Sequence, residues 1–427
     1  MNIKTLHNLF LKYSSVCTDT RKITGSCMFF ALKGDTFNGN TFASKAIENG
    51  AKYAIVDDKE FALSENYILV EDVLTTLQQL ANYHRTYLGL KIIALTGSNG
   101  KTTTKELIHS VLQKKYRTVA TIGNLNNHIG VPLTLLAMHK DTEIGIVEMG
   151  ANHLHEIEAL CQIANPDYGY ITNFGKAHLE GFGSIEGVIK GKSELYNHLK
   201  ENSKLIFINA EDATQIKQLN AYKHYYTFGS NSENDVTLTF IDANPFVNTK
   251  FKNLTIESHL IGAYNFNNIS VAIAIGHYFE ISDNDIKNAI ESYIPKDNRS
   301  QIIKKDTNTI ILDAYNANPT SMIAALLNFE KQTSTFKIAI LGDMFELGDA
   351  AEKEHQYIVD LVSTMLLDNV ILIGEHFYKT KIVVSKIIAF KSFEDFKVEF
   401  DTSKIKNTSI LIKGSRGMAL ERVLELL

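Results

Sequence analysis

Short runs of consecutive apolar residues recur along the chain, and segments with helical spacing of apolar residues separate them. In the first 85 residues, runs at 27–32 and 53–56 alternate with turn residues, and a helical stretch from 73 to 88 leads out of this region. Further along, the runs are continuous enough for strands that are buried on both faces. They occupy residues 92–95, 144–147, 168–172 and 205–208. Strands that alternate with helices predict a mostly parallel α/β sheet.

Residues 235–261 follow a different pattern. Val236, Leu238 and Phe240 alternate with threonine residues. This alternation predicts a short antiparallel excursion from the parallel sheet. The apolar spacing between residues 264 and 279 then predicts a helix.

Beyond residue 299, four further apolar runs end in polar or glycine-containing motifs. The runs at 310–312, 337–341, 370–373 and 410–412 are followed by Asp313, Gly342–Asp343, Gly374–Glu375 and Lys413–Gly414. Ligands of open parallel sheets bind beyond the carboxyl ends of the strands. The four motifs therefore indicate a binding edge. Ordinary polar loops are the alternative, because strand ends are polar in any case.

The length of the chain and these patterns together predict a three-domain organisation. A chain of 427 residues corresponds to about three domains. We place them at residues 1–85, 86–297 and 298–427. The predicted fold class is α/β, with a small α/β domain first and a central domain built on a P-loop-type, mostly parallel sheet. The third domain is predicted to be a Rossmann-like, doubly wound sheet.

Composition narrows the class of protein. The hydrophobic content of 44% and the charged content of 21% are ordinary for a soluble globular protein, and the net charge of -5 gives no reason to expect a nucleic-acid partner. No apolar run has membrane-spanning length, and the N-terminus does not resemble a signal peptide. Three cysteines without CxxC spacing favour a reducing compartment. We therefore expect a cytoplasmic protein without membrane insertion.

A glycine-rich loop follows the apolar run at 92–95 and precedes an amphipathic segment. Glycines allow backbone N–H groups to converge on an anion, and a helix N-terminus adds partial positive charge. Lys101 is placed to reach the β- and γ-phosphates of a nucleotide, and the Thr102 hydroxyl to bind Mg²⁺. Leu95 occupies the first glycine position of the usual motif, and a glycine turn that binds nothing is the alternative. The strand–loop–helix context nevertheless predicts an ATP site formed by Gly97, Ser98, Asn99, Gly100, Lys101, Thr102 and Thr103.

An acidic residue ends the apolar run at 144–147. An acid at the end of a neighbouring strand is the usual second contact of the Mg²⁺ ion that accompanies such a loop. Taken alone, Glu148 could equally cap a helix. Its combination with the phosphate loop favours the metal role.

These motifs and others together resemble the Mur ligase family. In the central region the matching segments are 96–104, 145–150 (GIVEMG), 173–179 (NFGKAHL), 191–194 (GKSE), 264–268 (YNFNN) and 298–300 (NRS). Outside it they are 18–21 (TDTR), 31–35 (ALKGD), 123–132 (GNLNNHIGVP), 313–319 (DAYNANP), 341–348 (LGDMFELG) and 413–418 (KGSRGM). Two residues depart from the family pattern, because Thr20 stands where serine is commoner and Ser193 where glycine is usual.

The resemblance implies roles for the matching residues. It adds Asn268, Arg299 and Asp313 to the ATP site, and it assigns His178 and a Lys192 carbamylated by CO₂ to a second Mg²⁺ ion. Lys101, Lys192, His178 and Arg299 are thereby the expected catalytic residues. The implied substrate contacts, with UDP at the first domain and the dipeptide at the third, are Thr20, Arg21, Lys33, Gly34, Asn126, Asn127, Tyr315 and Asn316.

Taken alone, several of these residues have simpler interpretations. Lys192 would be a solvated lysine, and His178 a partly buried loop histidine, since Mg²⁺ prefers oxygen ligands. Asp19 and Arg21 would form a surface ion pair. The zinc site that His153 and His155 suggest is not favoured, because no cysteine or third histidine lies at suitable spacing.

The resemblance also implies an activity. It implies an ATP-dependent amide ligase of peptidoglycan synthesis, and hence of cell-wall biogenesis, cell shape and division. The ligase would join D-alanyl-D-alanine to UDP-N-acetylmuramoyl-tripeptide through an acyl phosphate, using two Mg²⁺ ions. It is expected to be a monomer, and the third tripeptide residue, lysine or diaminopimelate, stays open.

Two other functions compete with this one. The 313–319 segment and the N-terminal loops argue against a sister ligase, such as one that adds glutamates to folate. The second alternative is a catalytically dead nucleotide-binding module that regulates a partner. The intact set of Lys101, Thr102, Glu148 and Lys192 argues against it.

Overall fold

The structure is a computed structural model that describes residues 1–23, 25–296 and 298–427. Three main sheets of four, nine and six strands follow one another along the chain. We call the regions around them the first, central and third units. Most strand pairs in the three sheets are parallel, which confirms the predicted α/β fold class.

The first unit is built on a fully parallel sheet. Its described elements are α1 (Ile3–Tyr13), β1 (Val16–Cys17), β2 (Met28–Phe30), β3 (Lys33–Gly34), β4 (Phe37–Asn38), α2 (Ala43–Glu48), β5 (Tyr53–Val56), β6 (Tyr67–Leu69) and α3 (Val73–Leu88). The sheet order is β1-β2-β5-β6, and β3 pairs with β4 in a separate antiparallel ribbon.

The central unit combines a parallel sheet with an antiparallel extension. Its elements are β7 (Lys91–Thr96), α4 (Lys101–Leu112), β8 (Thr118–Ala120), α5 (Gly130–Leu136), β9 (Ile144–Glu148), α6 (Glu156–Ala164), β10 (Tyr168–Ile171), α7 (Leu179–Phe182), α8 (Ile185–Glu201), β11 (Leu205–Asn209), α9 (Ala213–Leu219), β12 (Tyr225–Gly229), β13 (Val236–Ala243), β14 (Phe246–Phe251), β15 (Leu254–Ile261), α10 (Asn265–Tyr278) and α11 (Asp283–Glu291). The order is β15-β14-β13-β12-β11-β10-β7-β9-β8. The pairs β13–β14 and β14–β15 are antiparallel, which confirms the predicted excursion.

The third unit carries helices on both faces of a mostly parallel sheet. Its elements are β16 (Gln301–Lys305), β17 (Asn308–Asp313), α12 (Pro319–Lys331), β18 (Lys337–Gly342), α13 (Ala351–Thr364), β19 (Asn369–Ile373), α14 (Glu375–Tyr378), β20 (Ile387–Phe390), α15 (Phe393–Glu399) and β21 (Ser409–Lys413). The order is β16-β17-β21-β18-β19-β20, and only the described edge pair β16–β17 is antiparallel. Met322 and Ile358 pack in a core on one face, and Phe396 and Val423 on the other.

Strand β7 shows why a continuous apolar run marks the centre of the sheet. Ile92 and Ala94 enter one core, whereas Ile93 and Leu95 enter the core on the opposite face. Alternate side chains of a strand point to opposite faces, so a strand covered on both sides needs apolar residues at every position. This packing fixes the end of β7, from which the glycine-rich loop emerges.

Helix α3 links the first and central units. Its Leu77 shares a core with Leu6 of α1 and Leu135 of α5, and Arg85 pairs with Asp167 at 2.7 Å. The predicted boundary after residue 85 lies within this helix and stays a prediction. The boundary after residue 297 lies outside the described residues. None of the helices described here has the length and apolar composition needed to cross a membrane.

Candidate active site

A cavity of about 770 Å³ opens between the central and third units. It brings together most of the residues that the sequence assigned to a site. Those that line it are Ser98, Asn99, Gly100, Lys101, Thr102, Thr103, Asn126, Asn127, Glu148, His178, Asn268, Arg299, Asp313, Tyr315 and Asn316. The predicted site residues outside its lining are Gly97, Lys192 and the four residues of the first unit.

The glycine-rich loop is held by the strand end beside it. Gly97 has a φ of 140°, and a Cβ atom there would lie 2.0 Å from Thr172 Oγ1. Thr172 Oγ1 donates to the carbonyl of Asn99 at 2.6 Å, and Asn173 Oδ1 accepts the Asn99 backbone N–H at 3.1 Å. Glycine alone fits at position 97, and the loop is a pre-formed backbone cradle of the kind that binds phosphate.

The Lys101 ammonium lies over its own loop. Its Nζ donates to the carbonyl of Gly97 at 2.8 Å and to that of Ser98 at 3.4 Å. Burial is the main cause that lowers the pKa of Lys101, while the charge of Glu148 opposes this shift and that of Arg299 adds to it. When a nucleotide binds, its phosphates can replace these carbonyls as the hydrogen-bond acceptors of the Lys101 ammonium.

Two hard oxygen ligands meet beside the loop. Thr102 Oγ1 donates to Glu148 Oε2 at 2.9 Å, and Asn126 Nδ2 donates to Glu148 Oε1 at 2.8 Å. Glu148 is buried, so these contacts fix its carboxylate. A hydroxyl and a carboxylate at this place suit Mg²⁺. Among the residues that the structure describes, no group of three His, Cys, Asp or Glu side chains forms a metal centre by itself.

Asn268 lies behind the loop and ties two helices together. Its Oδ1 accepts from Thr104 Oγ1 at 3.0 Å, and its Nδ2 donates to Asn265 Oδ1 at 2.7 Å. A Cβ atom on Gly100 would lie 2.7 Å from Asn268 Oδ1. Asn268 therefore helps to position the start of α4, and its contact with adenine stays a prediction.

The third unit lines the cavity with an ion pair and with an arginine that stacks on a tyrosine. Asp313 accepts from Lys413 Nζ at 2.6 Å and from the backbone N–H of Ser300 at 3.0 Å. The Arg299 guanidinium lies 3.6 Å from the centre of the Tyr315 ring. Its buried Nε has no hydrogen-bond partner in the described structure. An arginine held against an aromatic face with a free donor suits an anionic ligand.

Polar contacts join the central and third units directly. Asn318 Nδ2 donates to Asn99 Oδ1 at 2.7 Å, and Lys176 pairs with Glu354 at 2.6 Å. The Lys176 backbone N–H also donates to Thr320 Oγ1 at 3.0 Å. Asn318 caps the N-terminus of α12 as well. The two units are therefore closed on each other, with the third unit in contact with the phosphate loop.

His178 faces a carboxylate of the third unit. Its Nδ1 lies 2.5 Å from Glu346 Oε2, and the Glu180 backbone N–H donates to the carbonyl of Glu346 at 3.1 Å. His178 and Glu346 both have left-handed backbones, with φ values of 53° and 60°. The contact with His178 is the main cause that lowers the pKa of Glu346. The metal role of His178 stays a prediction.

Lys192 is buried in the middle of α8. It is 0% exposed, its Nζ donates to the carbonyl of Ala151 at 2.8 Å, and it lies 5.0 Å from the centre of the Phe182 ring. Burial, and after it the charge of Lys101, lower the pKa of Lys192 well below its ordinary value. The alternative of a solvated lysine is therefore wrong.

The four predicted contacts in the first unit have partners within that unit. Arg21 pairs with Asp19 at 2.9 Å, which is the surface ion pair that the sequence left open. Lys33 pairs with Asp57 at 2.8 Å. The carbonyl of Thr20 accepts from Asn49, and Gly34 packs beside the Phe37 ring. The structure does not bring these residues to the cavity, and their role with UDP stays a prediction.

The proposed binding edge of the third unit covers only two of its four strand ends. Asp313 and Lys413 line the cavity. Asp343 instead accepts the backbone N–H groups of His376 and Phe377 at 2.9 and 3.0 Å, at the start of α14. A Cβ atom on Gly374 would lie 2.2 Å from Asp343 Cγ. The expectation is therefore wrong for these two motifs, because Asp343 caps the start of α14 and Glu375 lies in the first turn of that helix.

Some cavity residues lie in segments that the resemblance had already marked: Asn318 in 313–319, and Phe345 and Glu346 in 341–348, whose loop 343–348 was expected to recognise the dipeptide or orient the third unit. Asn152 and Glu156 lie in no such segment. The order Asn318–Pro319 is a typical helix start and was a usable signal. The signal for Glu346 was the 341–348 segment, but nothing local in the sequence shows its contact with His178, which belongs to another unit.

Comparison with family models places the chain among known proteins. The model for the Mur ligase family, catalytic domain matches residues 12–85. The Mur ligase middle domain matches residues 95–276, and the Mur ligase, glutamate ligase domain matches residues 298–416.

Full-length relatives agree with these models. A UDP-N-acetylmuramoyl-tripeptide--D-alanyl-D-alanine ligase of Bacillus subtilis is 40% identical over 96% of this chain and 92% of its own length. A crystal structure of MurF from Acinetobacter baumannii has a TM-score of 0.87 at 31% identity and covers 96% of this chain and 92% of that one. MurF ligase from Thermotoga maritima in complex with ADP has a TM-score of 0.84 at 28% identity and covers 97% of both chains.

Proposed function

This chain belongs to the Mur ligase family, and from that premise we propose that it joins D-alanyl-D-alanine to UDP-N-acetylmuramoyl-tripeptide at the expense of ATP. The observation that carries the proposal is the shared cavity. The phosphate loop of the central unit and the Tyr315–Asn316 segment of the third unit both line this cavity. A ligase needs this arrangement, because nucleotide, carboxylate and amine must meet at one place.

The arrangement of charge supports a carboxylate-activating reaction. The tripeptide carboxylate attacks the γ-phosphorus of ATP, ADP leaves, and an acyl phosphate forms. The dipeptide amine, after losing its ammonium proton, then attacks the acyl carbon. Phosphate leaves with one oxygen of the former carboxylate, and the nitrogen releases a second proton as the amide forms. ATP and the carboxylate are both anionic, so the approach requires cations such as Lys101 and Arg299.

Thr102 and Glu148 are the residues that would hold a Mg²⁺ ion beside the phosphates. The ion would neutralise phosphate charge when bound. A second ion with His178 and a carbamylated Lys192 is part of the proposal. It is supported by the burial of the lysine and by its lowered pKa, since only the neutral amine reacts with CO₂.

The proposed substrate contacts also include residues of the first unit. Thr20, Arg21, Lys33 and Gly34 are proposed to bind UDP, and Asn126 and Asn127 to contact the muramoyl peptide from the cavity wall. We propose that the enzyme acts in the cytoplasm, which its three free cysteines fit, and that it acts as a monomer.

Phosphate release tests this function. With ATP, Mg²⁺ and UDP-N-acetylmuramoyl-tripeptide present, sustained phosphate release is expected only after D-alanyl-D-alanine is added. A folate-type ligase would instead respond to glutamate with a folate substrate, and a regulatory module would release no phosphate under either condition. Tripeptides ending in lysine and in diaminopimelate, assayed in parallel, identify the third residue.

Replacing Asn316 with alanine is expected to impair turnover at low D-alanyl-D-alanine more than at low ATP. Asn316 lies at the cavity in the third unit, and its Oδ1 accepts the Ala317 backbone N–H at 2.9 Å, which shapes the segment beside Tyr315. Initial rates measured while each substrate is varied in turn give the two apparent KM values. A change confined to the KM for ATP would contradict a role in dipeptide recognition.

A further inference from the structure

Four carboxylates line the described cavity, and three of them are engaged by groups of their own unit. Glu148 accepts from Thr102 and Asn126. Asp313 accepts from Lys413 and from a backbone N–H. In the same way Glu156 accepts the backbone N–H groups of Asn152 and His153 at 2.6 and 3.0 Å. These three carboxylates have fixed partners.

Glu346 is the exception. It belongs to the third unit, but its carboxylate meets His178 of the central unit, and its side chain is 47% exposed. Its left-handed backbone is held by the hydrogen bond from the Glu180 N–H, which also crosses between the units. A strained backbone held by its surroundings is typical of functional positions. The closed arrangement therefore carries this carboxylate to the cavity.

The charges of the reacting groups indicate which ligand Glu346 binds. The γ-phosphate of ATP and the tripeptide carboxylate are anions, and Lys101 and Arg299 are cations of the cavity lining that can bind them. The amine of the dipeptide arrives as an ammonium cation. It needs an anionic partner on the third unit, and a hydrogen bond between two charged groups is about twice as strong as one between neutral groups.

We propose that Glu346 binds the ammonium group of the incoming dipeptide, in exchange for its contact with His178. The inference rests on the proposed function and names a specificity-determining residue of the same site. Because Glu346 crosses to the central unit only when the units are closed, the amine is held beside the phosphate loop only in that state. Closure of the two units and binding of the dipeptide amine therefore occur together.

The test is a kinetic comparison of Glu346→Gln with the parent enzyme. The substitution keeps the size of the side chain and removes its charge. The KM for D-alanyl-D-alanine is expected to rise about tenfold or more, whereas the KM values for ATP and for UDP-N-acetylmuramoyl-tripeptide stay unchanged. Glu352→Gln is the matched control, because Glu352 is an exposed carboxylate of the third unit that does not line the cavity. Its KM for the dipeptide is expected to stay at the parental value.

A dipeptide without the ammonium group distinguishes an effect of Glu346 on ammonium binding from an effect on closure of the two units. N-acetyl-D-alanyl-D-alanine, used as a competitive inhibitor, is expected to bind the parent and Glu346→Gln equally weakly. An unchanged KM for the dipeptide in Glu346→Gln would overturn the inference. So would an inhibition constant for the acetylated dipeptide that rises as much as that KM, because Glu346 would then act on the units and not on the ammonium. If the parent itself shows no dipeptide-dependent phosphate release, the proposed function fails first.

Discussion

Replacing Lys101 with alanine is expected to lower the rate of ligation by a factor of about a hundred or more, which corresponds to about 3 kcal/mol of transition-state stabilisation. Lys101 is the cation of the phosphate loop, and its ammonium already lies over the loop, 2.8 Å from the Gly97 carbonyl. Charge that develops on the γ-phosphate during transfer is stabilised most by a donor that is in place beforehand. No other loop residue between 97 and 103 is cationic.

The measurement is kcat from phosphate release at saturating substrates. Lys114→Ala is the matched control, because Lys114 is an exposed lysine just beyond the C-terminal end of the same helix. It is expected to behave like the parent. A Lys101→Ala rate close to that of the parent would refute the assignment of this loop to ATP.

Replacing Lys192 with alanine is expected to abolish most of the activity, and a short carboxylic acid such as acetate or formate should restore part of it. The lysine is 0% exposed and its burial holds its pKa well below the ordinary value, which favours the neutral amine that reacts with CO₂. The amine attacks CO₂, a proton is released, and the cation becomes a carbamate with two oxygen atoms. An added carboxylate restores such oxygens in the space that the alanine leaves.

Two further variants make the role of Lys192 specific. Lys192→Arg is expected to be inactive, since guanidinium forms no carbamate, and its thermal unfolding shows whether it folds. Lys190→Ala, an exposed lysine on the same helix, is the control. Equilibration with ¹³C-labelled bicarbonate should give a carbamate signal that Lys192→Ala lacks. An arginine variant with normal turnover, or the absence of that signal from the parent, would reject the carbamate.

The sheets were predictable because their pattern is local. The run at 92–95 predicts a doubly covered strand, since each of its residues enters one of two cores. The antiparallel excursion was predictable for the same reason, from alternation within one segment. Asp343 shows the limit of such patterns. A polar residue after a strand has the same appearance in sequence whether it meets a ligand or a helix end, and here it caps α14.

The site was predictable only where one segment carries the chemistry. The phosphate loop and Glu148 are of this kind, because strand, loop and helix follow each other directly. The contact between His178 and Glu346 joins two units, and no local spacing encodes it. The burial of Lys192 likewise depends on a distant part of the chain, because its ammonium donates to the Ala151 carbonyl, in addition to its contact with Phe182 of the preceding helix.

The most direct test of the central claim follows the oxygen atoms of the tripeptide. UDP-N-acetylmuramoyl-tripeptide labelled with ¹⁸O in its reacting carboxylate is incubated with ATP, Mg²⁺ and D-alanyl-D-alanine, and phosphate and peptide are analysed by mass spectrometry. Ligation through an acyl phosphate predicts one ¹⁸O atom in each phosphate released and a nucleotide-linked pentapeptide formed in equal amount with ADP. Unlabelled phosphate, release of AMP and pyrophosphate, or phosphate formed without the pentapeptide would contradict it.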